Sequence, residues 1–237
     1  MSKYSNTARY PLKLSRFSSH SKVRNIIYSK LSLQGKLNIL DVGCAKGNLF
    51  HMLPKENINY TGIEPFKEDY LDAKNYGIRV IHANAEDGIA KVEKNFDVVV
   101  FADVLEHLTN PEKILLQTKS ILTKTGHVII SVPNIAHFST RLLLLFGRWN
   151  YTDRGILDRT HLKFFTRRSL IQLMENYGYE IVRWEYTPIP IESLSVGIPQ
   201  KLFGLVDFIN YSITKLYPKI FAFQLIVLVK PQKNFNI

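Results

Sequence analysis

The segment Asn38-Ile39-Leu40-Asp41-Val42-Gly43-Cys44-Ala45-Lys46-Gly47-Asn48-Leu49 constrains the fold more than any other part of the chain. An apolar run that ends near a carboxylate and passes at once into two glycines reads as a buried strand turning sharply into a helix. Neither glycine carries a Cβ, so the backbone can bend tightly and a ligand can approach it closely. The segment contains neither a GxGxxG pattern nor a P-loop lysine, which favours an uncharged nucleoside with a charged tail over a phosphate cradle. Glu64 follows at the end of the next apolar run, about 20 residues on, where doubly wound folds place a carboxylate on ribose hydroxyls.

The rest of the chain alternates in the same way. Leu37 to Val42, Ile58 to Ile63, Ile78 to Ala83, Phe96 to Phe101 and Gly126 to Val132 read as strands. Helices are expected over Ser21 to Leu33, Asn48 to Leu53, the stretch ending near Tyr76, and Pro111 to Leu122. Near-continuous apolar runs such as Phe96 to Phe101 mark strands covered on both faces, and their alternation with helices indicates βαβ units in one largely parallel sheet. After Pro133 the rhythm breaks. Asn134 to Phe165 is long for a connection and reads as a cap. A helix from Thr166 to Tyr177 and strands at Tyr179 to Tyr186 and Phe221 to Val229 follow, with a second insertion, Thr187 to Pro218, between those strands. The expected architecture is an α/β, doubly wound Rossmann-like sheet of seven strands, the last antiparallel, with helices on both faces. One domain spans 1–237, with a cofactor-binding core at 36–133 and cap insertions at 134–165 and 187–218.

Composition narrows the class. A hydrophobic content of 46% suits a globular chain with a sizeable core. Cys44, the single cysteine, excludes an internal disulfide and fits a reducing compartment. The polar, basic start from Met1 to Ser19 lacks the apolar centre of a signal peptide, and no uncharged apolar run reaches the roughly 20 residues of a membrane helix. These features point to a cytoplasmic protein, at most peripheral at the inner face of a membrane. The formal net charge of +11 invites an anionic partner. Part of it falls in one segment, where Arg141, Arg148, Arg154, Arg159, Lys163, Arg167 and Arg168 face only Asp153 and Asp158. Such a segment could grip a phosphate-bearing acceptor, with Trp149, Tyr151, Phe164 and Phe165 stacking on a sugar or forming the cap's own small core.

Taken together, Leu40-Asp41-Val42-Gly43-Cys44-Ala45-Lys46-Gly47, Gly62-Ile63-Glu64, Asn84-Ala85-Glu86-Asp87, and Phe96-Asp97-Val98-Val99 through Glu106-His107-Leu108 resemble the successive motifs of class I S-adenosylmethionine-dependent methyltransferases. The resemblance implies S-adenosyl-L-methionine as cofactor and a role for each motif. Asp41, Gly43, Cys44 and Gly47 would face its methionine part, and Glu64 would hold its ribose. Asn84, Ala85 and Glu86 would lie by the adenine, and Phe101, Ala102 and Asp103 would line the crevice where the fourth strand ends. A narrower resemblance rests on Ser131-Val132-Pro133-Asn134, Tyr151 through Thr166 and Phe221-Ala222-Phe223-Gln224. It is to a subgroup found with cell-surface polysaccharide and O-antigen synthesis, and it implies O-methylation of a sugar hydroxyl in a glycan or its activated precursor.

Methyl transfer from a sulfonium needs an aligned nucleophile and a group to take its proton. His161 is the first candidate base, His107 the second, and Asp158 the carboxylate beside them. A second acceptor class, a quinone-like or other small lipid phenol, is suggested by the apolar stripe from Leu202 to Leu216. It is also suggested by Asp103-Val104-Leu105-Glu106-His107, which resembles the metal-holding Glu-x-x-Glu-His of ubiquinone-pathway O-methyltransferases. Asp103 is shorter than the glutamate of that pattern, so no metal is expected. Nucleic acid is a poor fit as acceptor: the fourth strand ends in Ala102-Asp103-Val104, not in the Asn/Asp-Pro-Pro-aromatic signature of amino-group DNA methylation.

Overall fold

The apolar runs form one sheet in which most strands are covered on both faces. A computed structural model describes residues 17–93, 95–191 and 200–232. The amino-terminal stretch to residue 16 and positions 192–199 of the second insertion lie outside the described residues. The strands are β1 (Leu37–Val42), β2 (Ile58–Glu64), β3 (Arg79–His82), β4 (Phe96–Ala102), β5 (Leu122–Pro133), β6 (Tyr179–Thr187) and β7 (Gln224–Pro231). They lie in the order β3-β2-β1-β4-β5-β7-β6. β7 pairs antiparallel with both β5 and β6, and the remaining pairs are parallel.

Alternate residues of each strand feed two cores, as the period of two requires. On one face Leu37, Ile39, Val98, Val100 and Ile129 pack with Val23, Ile26 and Ile27 of α1 (Ser19–Gln34). α1 is opened by the Ser18 side chain, which accepts from the Ser21 N–H, and closed by Gly35 at φ 78°. On the other face Leu40, Val42, Val99 and Phe101 pack with Ile89 of α3 (Ala85–Lys91), with Ile114 and Leu115 of α4 (Pro111–Ile121), and with Leu170 and Met174 of α6 (Arg167–Asn176). α2 (Lys67–Asn75) joins β2 to β3.

Asn48 to Leu53 departs from expectation. Behind Gly47 the chain forms turns and a single 3-10 turn, Phe50–Met52, in place of an α-helix. Leu49 and Leu53 are buried there, and Pro54 ends the stretch before a second turn forms. No helical N-terminus therefore stands behind the glycine turn.

The first insertion carries α5 (Phe138–Leu145) and returns along the ends of β4 and β5. Its ends meet where the Ile135 N–H donates to the Phe165 carbonyl at 2.9 Å. Close to its end, the N–H groups of Leu162 and Lys163 both donate to the Glu106 carbonyl, at 2.8 and 2.9 Å, so the returning chain is fastened over the segment that follows β4. The second insertion carries α7 (Gln200–Leu216) and α8 (Pro218–Phe221), and Phe221 of α8 lies against Phe138 of α5 with ring centroids 5.5 Å apart. α8 takes the residues at which the final strand is expected to start, so β7 begins only at Gln224.

Candidate active site

The strand order reverses between β1 and β4, and a crevice opens there at the carboxyl ends of the strands, as topology requires of a doubly wound sheet. The turn after β1 is pinned to β2: the N–H groups of Gly43 and Cys44 both donate to the Ile63 carbonyl, at 2.8 and 3.1 Å. Gly43 and Gly47 take φ of 74° and 84°, where L side chains are strained. A Cβ on Gly43 would also lie 2.8 Å from Cγ2 of Val104, which places the segment after β4 directly over the turn.

Glu64 closes the crevice on the β2 side and is 3% exposed. Its Oε2 accepts the Ala45 N–H at 2.8 Å and its Oε1 accepts the Phe66 N–H at 2.9 Å. Burial raises its pKa, and the two N–H groups oppose that rise. Each oxygen keeps a further acceptor position for a vicinal diol. Asp41 is buried beside it, with Oδ2 accepting the Tyr60 hydroxyl. Burial lifts its pKa to about 7, with Tyr60 opposing and the Glu64 charge adding. The Cys44 thiol is buried and pushed far up by desolvation, so it is an inert packing group.

The other expected cofactor residues divide between backbone and side-chain roles. Asn84 caps α3, its Oδ1 accepting the Asp87 N–H at 2.8 Å, which puts Ala85 and Glu86 on the first turn of that helix. The Phe101 side chain is fully buried in the core with Leu105 and Ile114, so it is the backbone of this residue that can face a ligand. Ala102 ends β4. Asp103 turns the chain at φ 59°, one of few non-glycine residues there, and such strain gathers at functional sites. Both oxygens of its carboxylate accept hydrogen bonds. Nε2 of Gln224 donates to both oxygens at 2.9 Å, and the Ser131 hydroxyl donates to Oδ1 at 2.6 Å.

The candidate catalytic residues meet just beyond. Glu106 is 1% exposed, and neither oxygen has a hydrogen-bond partner in another residue. Burial, with Asp103 and Asp158 nearby, raises its pKa well above the usual carboxylate range. One ligand atom each of Glu106, His107 and His161 lie within 4.8 Å of one another, and the two imidazoles meet edge to face at 4.9 Å. Nδ1 of His161 lies 3.1 Å from the Ile156 carbonyl and Nδ1 of His107 lies 3.2 Å from the Thr160 carbonyl. A carbonyl only accepts, so each Nδ1 carries a proton, and in the neutral ring it is Nε2 that presents the lone pair. Burial lowers the His161 pKa, which keeps that ring neutral. Asp158 lies close enough to act on the pKa values of both Glu106 and His161. Its Oδ1 accepts from the N–H and hydroxyl of Thr160, at 2.8 and 2.7 Å, which shapes the loop carrying His161.

Tyr60 does not stand out in the sequence, and Ser131 and Gln224 stand in the motifs of the narrower resemblance without a role of their own. Gln224 reaches Asp103 across 121 positions, and no local pattern reports such a partnership. The basic segment is in part structural: Arg159 pairs with Asp153 at 2.6 Å, Arg167 lies over the Trp184 ring at 4.8 Å, and Arg141 donates to the Ala136 carbonyl. Its aromatics mostly pack on one another or inward, Trp149 on Phe164 at 5.4 Å and Phe165 into the core.

A reversed-order sheet, a glycine turn pinned to the second strand and a carboxylate closing that strand define the class of S-adenosylmethionine-dependent methyltransferase folds. Solved members superpose over most of the chain. One from Archaeoglobus fulgidus aligns with a TM-score of 0.60 at 19% identity, covering 91% of this chain and 96% of its own. Magnesium protoporphyrin IX methyltransferase from Synechocystis PCC 6803, solved with bound S-adenosylhomocysteine, aligns at 0.59 and 14% identity, covering 89% and 82%. A family profile described as a methyltransferase domain matches residues 8–183, and the chain belongs to that family. Curated relatives include the ubiquinone biosynthesis O-methyltransferases of Vibrio atlanticus and Rickettsia prowazekii. The first is 28% identical over 58% of this chain and 61% of its own length, the second 31% over 47% and 44%. The matched region thus spans under two thirds of either relative. Neither name concerns polysaccharide, and the expected O-antigen subgroup gains no support from them.

Proposed function

We propose that the protein transfers the methyl group of S-adenosylmethionine to a hydroxyl oxygen of a quinone-like or other small lipid phenol. The observation that carries this reading is the meeting of Glu106, His107 and His161 beside the crevice. Segment 36–133 would hold the cofactor, with Glu64 on the ribose and the Gly43–Gly47 turn along the methionine part. The insertions at 134–165 and 187–218 would cover the acceptor. The acceptor's O–H proton passes to an imidazole Nε2, His161 first, as its oxygen bonds to the methyl carbon. The C–S bond breaks with its electron pair going to sulfur, leaving neutral S-adenosylhomocysteine. Asp158 acts as a positioning residue for His161.

The relatives' names support a phenolic acceptor over a sugar. So do the exposed apolar side chains on the insertions, among them Leu145, Phe146 and Leu216. With exposed Arg148 and Lys163 on the same insertion as Leu145 and Phe146, they suit a peripheral approach to an anionic membrane holding a lipid-like acceptor. No helix among the described residues is long and apolar enough to cross one. Methylation of a glycan precursor is the second reading, favoured by the arginines of the first insertion.

Titration calorimetry with S-adenosylmethionine tests the cofactor assignment. Glu64→Ala should bind at least about tenfold more weakly, the loss of hydrogen bonds to a charged group. Equal binding by wild type and variant would remove Glu64 from the site. Release of S-adenosylhomocysteine should be stimulated by catechol-bearing prenyl lipids. Stimulation by nucleotide sugars alone would transfer the assignment to the glycan reading.

A further inference from the structure

We infer that Gln224 is a positioning residue for the cofactor. From the first position of β7 it holds the Asp103 carboxylate at the crevice with its charge uncompensated, and so sets how strongly the site prefers the cationic cofactor to its neutral product. The inference rests on the cofactor and is independent of which acceptor is methylated.

Topology brings the two residues together. A strand that runs antiparallel to a parallel neighbour starts where that neighbour ends, so the first residue of β7 lies at the carboxyl end of β5, beside that of β4. Gln224 pairs with Pro133 of β5 on one side and Thr187 of β6 on the other, and its N–H donates to the Thr187 hydroxyl at 3.1 Å. The residues before it are tied to the root of the first insertion. There the Asn134 N–H donates to the Phe223 carbonyl at 3.0 Å, and Nδ2 of Asn134 donates to the Ala222 carbonyl at 2.8 Å. The backbone thus delivers the Gln224 side chain, itself buried, to one place.

The groups that hold Asp103 are neutral. Nε2 of Gln224 lies 2.9 Å from both carboxylate oxygens, and the amide cannot turn over, because its oxygen would then face theirs. Ser131, fully buried, donates its hydroxyl to Oδ1 and accepts the Asp103 N–H on its carbonyl at 3.0 Å. Among the described residues no lysine or arginine forms an ion pair with Asp103. The donors therefore fix the carboxylate without cancelling its charge. The same bonds hold the Asp103 backbone at φ 59°, and with it Val104, which covers the glycine turn. S-adenosylmethionine carries a sulfonium charge that S-adenosylhomocysteine lacks, and the two otherwise share one frame. A fixed anion at the crevice acts on that difference.

The experiment is titration calorimetry of the full chain with each of the two ligands, alongside urea midpoints, for wild type, Gln224→Met, Asp103→Asn and the double variant. Gln224→Met keeps the length of the side chain and loses its donors. It should weaken S-adenosylmethionine by about tenfold or more, as expected for a lost hydrogen bond to a charged group. S-adenosylhomocysteine, without the sulfonium, should weaken by about threefold or less. Asp103→Asn removes the charge but tolerates the left-handed backbone, and the Gln224 amide can turn over to accept from it. It should shift the ratio of the two affinities in the same direction. The double variant should bind S-adenosylmethionine no more weakly than Asp103→Asn alone. Equal weakening of both ligands in Gln224→Met would overturn the inference, and so would additive losses in the double variant. If Gln224→Met does not fold, Asp103→Asn decides, and a wild-type ratio there overturns the inference. A wild type that binds neither ligand would overturn the cofactor assignment as well, whereas the other adverse outcomes leave it standing.

Discussion

Gly62 shows how a residue can be fixed by a neighbour that is invisible from its own surroundings. It takes no left-handed backbone angle, and as a strand residue it could carry a side chain. A Cβ there would nevertheless run into Sγ of Cys44, with Cβ of Cys44 at 3.2 Å, because the glycine turn folds back over β2. Gly62→Ala should therefore destabilise the protein by about 1–3 kcal/mol, the usual result of overpacking. Cys44→Ala, mild alone, should recover a large part of that loss. A double-mutant cycle read from urea midpoints checks it, and strict additivity would show that the two residues do not press on each other. The turn itself is legible in the sequence, since closely spaced glycines at the end of a buried strand mark where the backbone bends. The reason for Gly62 is not, because it depends on which atom the turn lays against the neighbouring strand. Asp103 makes the same point: its place at the end of β4 follows from the motif, whereas its engagement by Gln224 does not.

At the scale of elements, the strands are readable because burial on both faces leaves near-continuous apolar runs, as in β4 and β7. The stretch behind the glycine turn reads wrongly as a helix because Leu49 and Leu53 recur at helical spacing while Pro54 leaves room for a single 3-10 turn. The first insertion has little periodicity, and its course is set by hydrogen bonds to the distant Glu106 carbonyl. Within it, Asp158 organises the loop through Thr160, which suits the positioning role proposed for it. Asp158→Asn keeps an oxygen for both Thr160 donors, whereas Asp158→Ala keeps none. The expected outcome is about tenfold or greater loss of kcat in Asp158→Ala, near-complete rescue in Asp158→Asn, and unchanged S-adenosylmethionine affinity in both. Equal loss in the two variants would mean that the charge acts directly on the reaction. Because the Asp158 charge helps to hold up the His161 pKa, both variants should move the acid limb of the pH profile to lower pH.

Across the whole molecule, two buried groups at separate places titrate in opposite senses. Asp41 has a folded pKa raised to about 7, by burial first and by the Glu64 charge, against the Tyr60 hydrogen bond. The native state then holds a proton that the unfolded chain releases from about pH 4 upward, so its contribution falls with rising pH until about 7. His137, at the start of α5, has its Nε2 buried without a partner and its pKa lowered by burial to about 4. There the unfolded chain binds the extra proton, so the contribution rises with pH between about 4 and 6.5. The two slopes oppose each other over nearly the same interval, beside those of Glu64 and Glu106 (raised) and His127 and His161 (lowered), so the wild-type curve alone isolates neither. Single variants expose them. Asp41→Asn preserves an acceptor for Tyr60 and should gain stability relative to wild type progressively from about pH 4 to 7, by at most ~4 kcal/mol. His137→Asn preserves an acceptor for the Ser139 N–H, and its difference from wild type should shift the other way, becoming more unfavourable as pH rises from about 4 to 6.5 by up to ~3 kcal/mol. Urea midpoints of the three proteins at half-unit pH intervals supply the measurement. A difference curve for Asp41→Asn that stays flat would mean that the carboxylate is already ionised at pH 4. Glycine turn and buried carboxylate would then form a charged pocket at every working pH, not one whose charge is regulated by its own burial.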